Sequence, residues 1–100
     1  MQKRLTRDQV LAELSLLKPL LVERYSVKSL ALFGSYAKDT ARESSDIDLV
    51  IELDEPDLFF LGHIKDEIER DLQHHVDLIP YTQYMSPFLK ERVLKEAVYV

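Results

Sequence analysis

The sequence lacks cysteine and tryptophan, has only two glycines, and contains no long apolar run. Without cysteine the chain has no disulfide bonds and no thiolate metal ligands, which excludes disulfide-rich secreted domains and cysteine-type zinc sites. No stretch approaches the roughly 18 apolar residues that a membrane-spanning helix needs. The N-terminal segment Met1-Gln2-Lys3-Arg4 leads into amphipathic sequence rather than an apolar signal core, so we expect cytoplasmic residence and no membrane contact.

Basic residues are outnumbered: 13 Lys and Arg face 18 Asp and Glu, for a formal net charge of -5. Surfaces that bind the phosphate backbone of nucleic acids are normally basic, so direct nucleic-acid binding is not expected. One hundred residues is the size of one ordinary domain. We therefore predict a single domain over residues 1–100, whose substrate is small or brings its own structure.

The first half of the chain shows one helical and one strand pattern. Thr6 followed by Gln9 is a capping-box pattern, and apolar residues then recur at helical spacing. This predicts an amphipathic helix that continues to about Arg24 and is kinked or interrupted near Pro19. The apolar run from Val27 to Phe33 predicts a buried strand that ends in a tight turn at the next residue, a glycine.

A polar stretch at residues 35–45 without sustained periodicity predicts a loop before a second strand, Ile47–Leu53. Glu55-Pro56 is predicted to end that strand, and Asp57 to cap a second amphipathic helix. The apolar face of this helix would comprise Leu58, Leu61, Ile64, Ile68 and Leu72.

The last segment predicts a short third strand, Val76–Ile79, closed by Pro80. Ser86-Pro87 is typical of a helix start, with an apolar face formed by Phe88, Leu89, Val93 and Leu94. The order helix, strand, strand, helix, strand, helix predicts an α/β (α+β) domain, with helices packed on a small mixed sheet of about three strands.

Two aspartates begin the second strand. Side chains at positions i and i+2 of a strand point to the same face, so Asp46 and Asp48 are expected to converge. Carboxylates that close repel each other unless one is protonated or a cation lies between them, and Mg²⁺ is a cation that prefers carboxylate and phosphate oxygens. The alternative is that both are ordinary surface residues at the mouth of a strand.

Two further features strengthen the metal hypothesis. Gly34-Ser35 follows a buried strand, where a glycine lets the backbone approach a ligand, amides at the following helix start can bind phosphate, and the serine adds a hydroxyl donor. The alternative is an ordinary glycine turn. Asp77 lies in a predicted buried strand, where an unpaired carboxylate is costly. The metal would give Asp77 a partner; pairing with an arginine or capping of a turn is the alternative.

Together these residues resemble a known family. Leu32-Phe33-Gly34-Ser35-Tyr36-Ala37, followed by Ser45-Asp46-Ile47-Asp48-Leu49-Val50, resembles the signature of the minimal nucleotidyltransferase (MNT) domain of the polymerase-beta-like superfamily, and the spacing between the two halves also matches. Val76-Asp77-Leu78 is similar to the third strand of that family. The resemblance covers nearly the whole chain and implies a polymerase-beta-like nucleotidyltransferase fold.

The resemblance also implies roles for individual residues. Gly34 and Ser35 would contact the triphosphate of ATP, Asp46 and Asp48 would bind two Mg²⁺ ions, and Asp77 would complete the metal site and help activate the attacking hydroxyl. Family members often have a basic residue and then glycine after the alanine, whereas this chain has Lys38-Asp39. Lys38 and Arg42 are candidates for contact with phosphate or with the partner. The alternative is that both side chains are simply solvated.

Proteins of this size resemble the antitoxin half of HEPN–MNT toxin–antitoxin pairs. The resemblance implies an enzyme that transfers AMP from ATP to a tyrosine of a HEPN ribonuclease toxin, the product of a neighbouring gene, and so inactivates it. The alternatives are an antitoxin of weak activity that neutralises its toxin by covering it, and nucleotidyl transfer to a small molecule.

Two other groups of residues are interpreted as structural rather than as metal or partner sites. The three histidines lack metal-ligand spacing and are predicted to be surface or capping residues: His63, His74 and His75. The cluster after the third strand is predicted to be core, with contact to a partner as the alternative: Tyr81, Tyr84, Met85 and Phe88.

Overall fold

The computed structural model describes residues 5–55 and 57–100. Met1–Arg4 and Pro56, which carry the predictions about the N-terminus and the end of the second strand, lie outside them. The elements are α1 (Arg7–Tyr25), β1 (Val27–Phe33), α2 (Gly34–Ala37), β2 (Ile47–Leu53), α3 (Leu58–Leu72), β3 (Val76–Pro80), α4 (Pro87–Glu96) and β4 (Val98–Tyr99). In this part of the chain, no helix is both long and apolar enough to cross a membrane.

The strands form one mixed sheet in the order β3-β2-β1-β4. Strand β1 pairs antiparallel with β2 and with β4, whereas β2 and β3 run parallel. The predicted mixed α/β sheet is therefore confirmed, with one strand more than expected. The additional strand, Val98–Tyr99, is only two residues long, too short to show the alternation from which strands are predicted.

Helix α1 begins as predicted, because the Thr6 side chain accepts a hydrogen bond from the Gln9 amide and the Gln9 side chain accepts one from the Thr6 amide. It then continues through Pro19 to Tyr25, so the predicted interruption is wrong. The proline side chain is exposed, and buried Leu14 and Leu21 anchor the helix on either side of it. Packing of this face outweighs the hydrogen bond that proline cannot donate.

Alternate residues of β1 and β2 face two separate cores. Leu30, Leu32, Leu49 and Ile51 join the larger core, which also includes buried residues of α1 and α3. Phe33 and Val50, on the other face, join a smaller core with Val93 of α4. Asp48 lies two residues before Val50 in β2, so its side chain is on the α4 face of the sheet.

The apolar faces of the later helices are narrower than predicted. In α4, Val93 is buried, but Phe88 and Leu94 are 72% and 66% exposed. In α3, Leu58 is 84% exposed. Among the described residues of α4, only Val93 is buried, where it packs against Phe33 and Val50 in the smaller core.

The aromatic cluster that follows β3 is divided. Tyr81 and Met85 are partly buried against the smaller core, as predicted. Tyr84 is 87% exposed and, like Phe88, contradicts the prediction of a core position. Tyr84 lies in the turn before α4, where its backbone amide donates a hydrogen bond to Thr82 Oγ1 at 3.2 Å.

Candidate active site

The three predicted aspartates meet at one end of the sheet. Asp46 directly precedes β2, Asp48 is its second residue, and Asp77 is the second residue of β3. The parallel register pairs Asp48 with Asp77, which places their side chains next to each other on the same face. Residues that are 29 positions apart in the sequence thus form one acidic group.

The surroundings of Asp48 shift its pKa. Partial burial raises the pKa of its carboxyl group, and the negative charges of Asp77 and Asp46 raise it further. Both effects penalise the ionised form of Asp48. A cation or a proton at this end of the sheet would relieve the penalty.

Asp77 differs from its prediction, because its side chain is exposed rather than buried. Strand β3 is an edge strand, so one flank of Asp77 is open to solvent. Among the described residues Asp77 forms no salt bridge, and the predicted alternative of an arginine partner is not observed. Asp77 is therefore linked to the site by its proximity to Asp48 and not by a cost of burial.

Gly34 lies against Asp48 at the end of β1. Its φ angle is +73°, and a Cβ atom added there would lie 2.3 Å from Oδ2 of Asp48 and 3.2 Å from Cγ. Any other residue would be strained in its backbone and would displace the carboxylate. Gly34 also begins the one-turn helix α2, in a stretch predicted to be loop, so Ser35 follows directly on the site.

Lys38 forms an ion pair with α4, whereas the side chain of Arg42 is exposed. Lys38 Nζ lies 3.4 Å from Oε1 of Glu96 at the end of α4, and Arg92 Nη2 lies 3.3 Å from Oε2 of the same carboxylate. Burial would raise the pKa of Glu96, but the hydrogen bond and charge of Lys38, together with Arg92, lower it below its usual value. The backbone amide of Arg42 donates to Ser45 Oγ at 2.9 Å, and its side chain is exposed.

The donor set of the acidic group fits a hard divalent cation only in combination with other ligands. Within the described ranges, no three His, Cys, Asp or Glu side chains are arranged to hold a metal ion by themselves. Mg²⁺ commonly uses one or two carboxylates and takes its remaining ligands from water and substrate phosphates. Asp48 together with a neighbouring aspartate of the group would supply the one or two carboxylates of such a site.

An open cleft of about 380 Å³ lies beside Asp46. Its lining is polar and comes from the segment before β2 and from the turn between α3 and β3: Glu43, Ser44, Asp46, Glu69, Gln73, His74 and His75. This volume is within the usual range of small-molecule sites. Its lining includes Asp46 but not Gly34, Ser35, Asp48 or Asp77, so it offers room for a small molecule beside Asp46.

The histidines are placed largely as predicted. His63 and His75 are exposed, with His75 Nδ1 3.7 Å from Glu69 Oε2. His74 is half-buried and forms a hydrogen bond with Tyr36, a residue to which the sequence analysis assigns no role. Because Tyr36 and His74 are 38 positions apart, no local sequence pattern indicates their contact.

Comparison with known proteins agrees with this geometry. The family model described as "Nucleotidyltransferase domain" matches residues 14–100. The protein adenylyltransferase MntA of Thermococcus cleftensis is 34% identical over 97 residues, covering 96% of this chain and 97% of that protein. A Methanocaldococcus jannaschii protein, provisionally named a protein adenylyltransferase, is 37% identical over 84 residues, 83% of this chain and 86% of its own length.

Solved structures share the fold. One that is provisionally named a minimal nucleotidyltransferase superposes with a TM-score of 0.82 at 28% identity, covering 97% of this chain and 98% of its own. A toxin–antitoxin structure with AMP-PNP superposes with a TM-score of 0.69 at 23% identity over 87% of this chain and 70% of that one. By sequence and by fold, the chain belongs to the nucleotidyltransferase family and is an enzyme of the minimal nucleotidyltransferase type.

Proposed function

We propose that this enzyme transfers AMP from Mg²⁺–ATP to a tyrosine of a HEPN-type toxin and thereby acts as its antitoxin. The observation that carries the proposal is the meeting of Asp46, Asp48 and Asp77 at one end of the sheet, with Gly34 packed directly against Asp48. A site of this kind combines carboxylates for a metal with a close backbone approach for phosphate.

The triphosphate would lie between Gly34-Ser35 and the acidic group. The absence of a side chain at Gly34 lets a phosphate approach the backbone, and the Ser35 hydroxyl is available to donate a hydrogen bond. Asp46, Asp48 and Asp77 would hold Mg²⁺, which when bound offsets their mutual repulsion and stabilises negative charge on the phosphates. Lys38 and Arg42 are secondary candidates for contact with phosphate or partner.

In the transfer step the acceptor's phenolic oxygen forms a bond to the α-phosphorus of ATP. The bond from that phosphorus to the oxygen bridging to the β-phosphate breaks, and pyrophosphate leaves with the electron pair. The acceptor's proton passes to a carboxylate, for which Asp77 is suited because it is exposed on an edge strand beside Asp48. The chain's contribution is to align acceptor and phosphate and to receive this proton.

The choice of acceptor is supported by relatives. The Thermococcus cleftensis relative is named a protein adenylyltransferase. One structural neighbour is an MNT antitoxin in complex with a tri-AMPylated HEPN toxin of Shewanella oneidensis, with a TM-score of 0.61 at 22% identity. In this chain the exposed Tyr84 and Phe88 provide apolar surface for a partner. The toxin would be encoded by a neighbouring gene, and both proteins would act in the cytoplasm.

The direct test is intact-mass measurement of the toxin after incubation with this chain, ATP and Mg²⁺. We expect adenylyl additions with the wild-type chain and none with the Asp46→Asn/Asp48→Asn variant. The Asp54→Asn/Asp66→Asn variant removes the same charge at exposed positions away from the site and should stay active. A complex without any mass change, in Mg²⁺ or Mn²⁺, would refute transfer to this partner and favour neutralisation by covering.

A further inference from the structure

Tyr36 connects the segment after β1 to the turn before β3. It lies in α2, directly after Gly34-Ser35, and its side chain is only 1% exposed. A buried tyrosine hydroxyl normally requires a hydrogen-bond partner. Here the hydroxyl lies 3.3 Å from Nε2 of His74, and the two rings meet edge to face with centroids 5.7 Å apart.

The direction of this hydrogen bond follows from a second contact of His74. Its Nδ1 lies 2.9 Å from the carbonyl oxygen of His75. A carbonyl oxygen only accepts hydrogen bonds, so Nδ1 carries the proton, and Nε2 of the neutral ring is then an acceptor. With a neutral ring, the Tyr36 hydroxyl donates to Nε2 of His74, whose Nδ1 donates to the His75 carbonyl oxygen.

The same carbonyl oxygen accepts a hydrogen bond from the Ile47 amide at 3.0 Å. Ile47 stands between Asp46 and Asp48, and His75 precedes Asp77 by two residues. The hydrogen bonds thus join α2, the start of β2 and the turn into β3. These three segments carry or adjoin Gly34, Ser35 and the three aspartates of the proposed site.

We infer that Tyr36 and His74 are positioning residues, which hold the Gly34-Ser35 segment in register with the carboxylates on β2 and β3. This inference rests on the proposed function. In-line transfer requires the α-phosphorus and the carboxylates to be aligned, and a displacement of about 1 Å can reduce the rate about 100-fold. A link between the phosphate segment and the strands that carry the carboxylates limits such displacement.

Two single substitutions test the link in a transfer assay. Tyr36→Phe removes only the hydroxyl, whereas His74→Asn keeps an amide near the position of Nδ1 and removes Nε2. We expect each to lower kcat by roughly tenfold or more while the KM for ATP changes by less than about threefold. The double variant should be little worse than either single one, because both break the same link.

Rescue and matched controls separate positioning from general stability. His74→Gln can place an amide oxygen near the position of Nε2 and should recover part of the kcat. Tyr99→Phe and His63→Asn make the same chemical changes at exposed positions that have no role in the proposed site and should leave kcat unchanged. A purely structural role would lower the denaturation midpoint while kcat per folded molecule stays at the wild-type value, and that result would overturn the inference.

Hydrogen exchange of the chain alone tests the link independently of transfer. In Tyr36→Phe and His74→Asn, we expect amides of residues 34–38 and 46–48 to exchange faster than in the wild type and the two controls. If the wild type transfers no nucleotide but this exchange pattern appears, the proposed function fails and the coupling stands. If exchange at residues 46–48 is unchanged in both variants, the coupling itself is refuted.

Discussion

At the scale of single residues, the contact between Gly34 and Asp48 constrains the site most strongly. Gly34 has a positive φ and stands where a Cβ atom would meet the Asp48 carboxylate. We predict that Gly34→Ala costs about 1–3 kcal/mol of stability, from backbone strain and the displaced carboxylate, and lowers transfer at least about 100-fold. Chemical denaturation and the transfer assay measure the two effects.

Gly62 provides the matched control for that substitution. It lies inside α3 with nothing within 4 Å of an added Cβ atom. Gly62→Ala should therefore raise stability by up to about 1 kcal/mol, because alanine favours the helix, and leave transfer unchanged. Equal loss of transfer in both variants would contradict the role assigned to Gly34.

Asp48 should make stability depend on pH. Burial first, and then Asp77 and Asp46, raise its pKa in the folded protein above the ordinary value of 3.8. The folded state then binds the proton more tightly than the unfolded chain, so the stability this proton provides is fully present below pH 3.8 and is lost as the pH rises through the folded-state pKa.

We therefore predict that Asp48→Asn, without metal, raises the free energy of unfolding at neutral pH by up to about 1 kcal/mol, a modest effect because solvent screens the charges. The gain should vanish below pH 3.8. Urea unfolding across this range measures it, with Asp54→Asn as the control. A gain that is the same at both ends of the range would show that charge repulsion is not its cause.

Local sequence could predict most of the site but not all of it. Gly34, Ser35, Asp46 and Asp48 lie within 15 consecutive residues, where strand periodicity and a glycine after an apolar run are visible. The exposure of Asp77 depends on the position of β3 at the edge of the sheet. Strand order is set by tertiary packing, and local sequence does not show which strand lies at the edge. The predicted burial of Asp77 is wrong for this reason.

At the scale of elements, strong periodicity and clear capping patterns predict helices and strands correctly, whereas very short elements leave no such pattern. The capping residues Thr6, Asp57 and Ser86 were predicted because their side chains bond amides two or three residues away. Helix α2 was expected only as a helix start after the glycine and not as a separate element, because a single turn has no periodicity. Strand β4 was missed because it has only two residues. The exposure of Phe88 followed from how much of the sheet α4 covers, which its own sequence does not contain.

At the scale of the whole molecule, an acidic chain is proposed to bind an acidic ligand. The formal net charge is -5, and the residues proposed to hold the metal are themselves carboxylates. Electrostatics therefore opposes binding of ATP alone and favours its complex with Mg²⁺. This dependence on the metal follows from the arrangement of Asp46, Asp48 and Asp77 without reference to any partner.

Calorimetric titration of ATP into the isolated chain, with Mg²⁺ and with a chelator, tests whether the aspartates bind the nucleotide through the metal. We predict binding that requires Mg²⁺, that is lost in Asp46→Asn/Asp48→Asn, and that is unchanged in Asp54→Asn/Asp66→Asn. Equal binding with and without Mg²⁺, or Mg²⁺-dependent binding of wild-type strength in the Asp46→Asn/Asp48→Asn variant, would show that these aspartates do not form the nucleotide site.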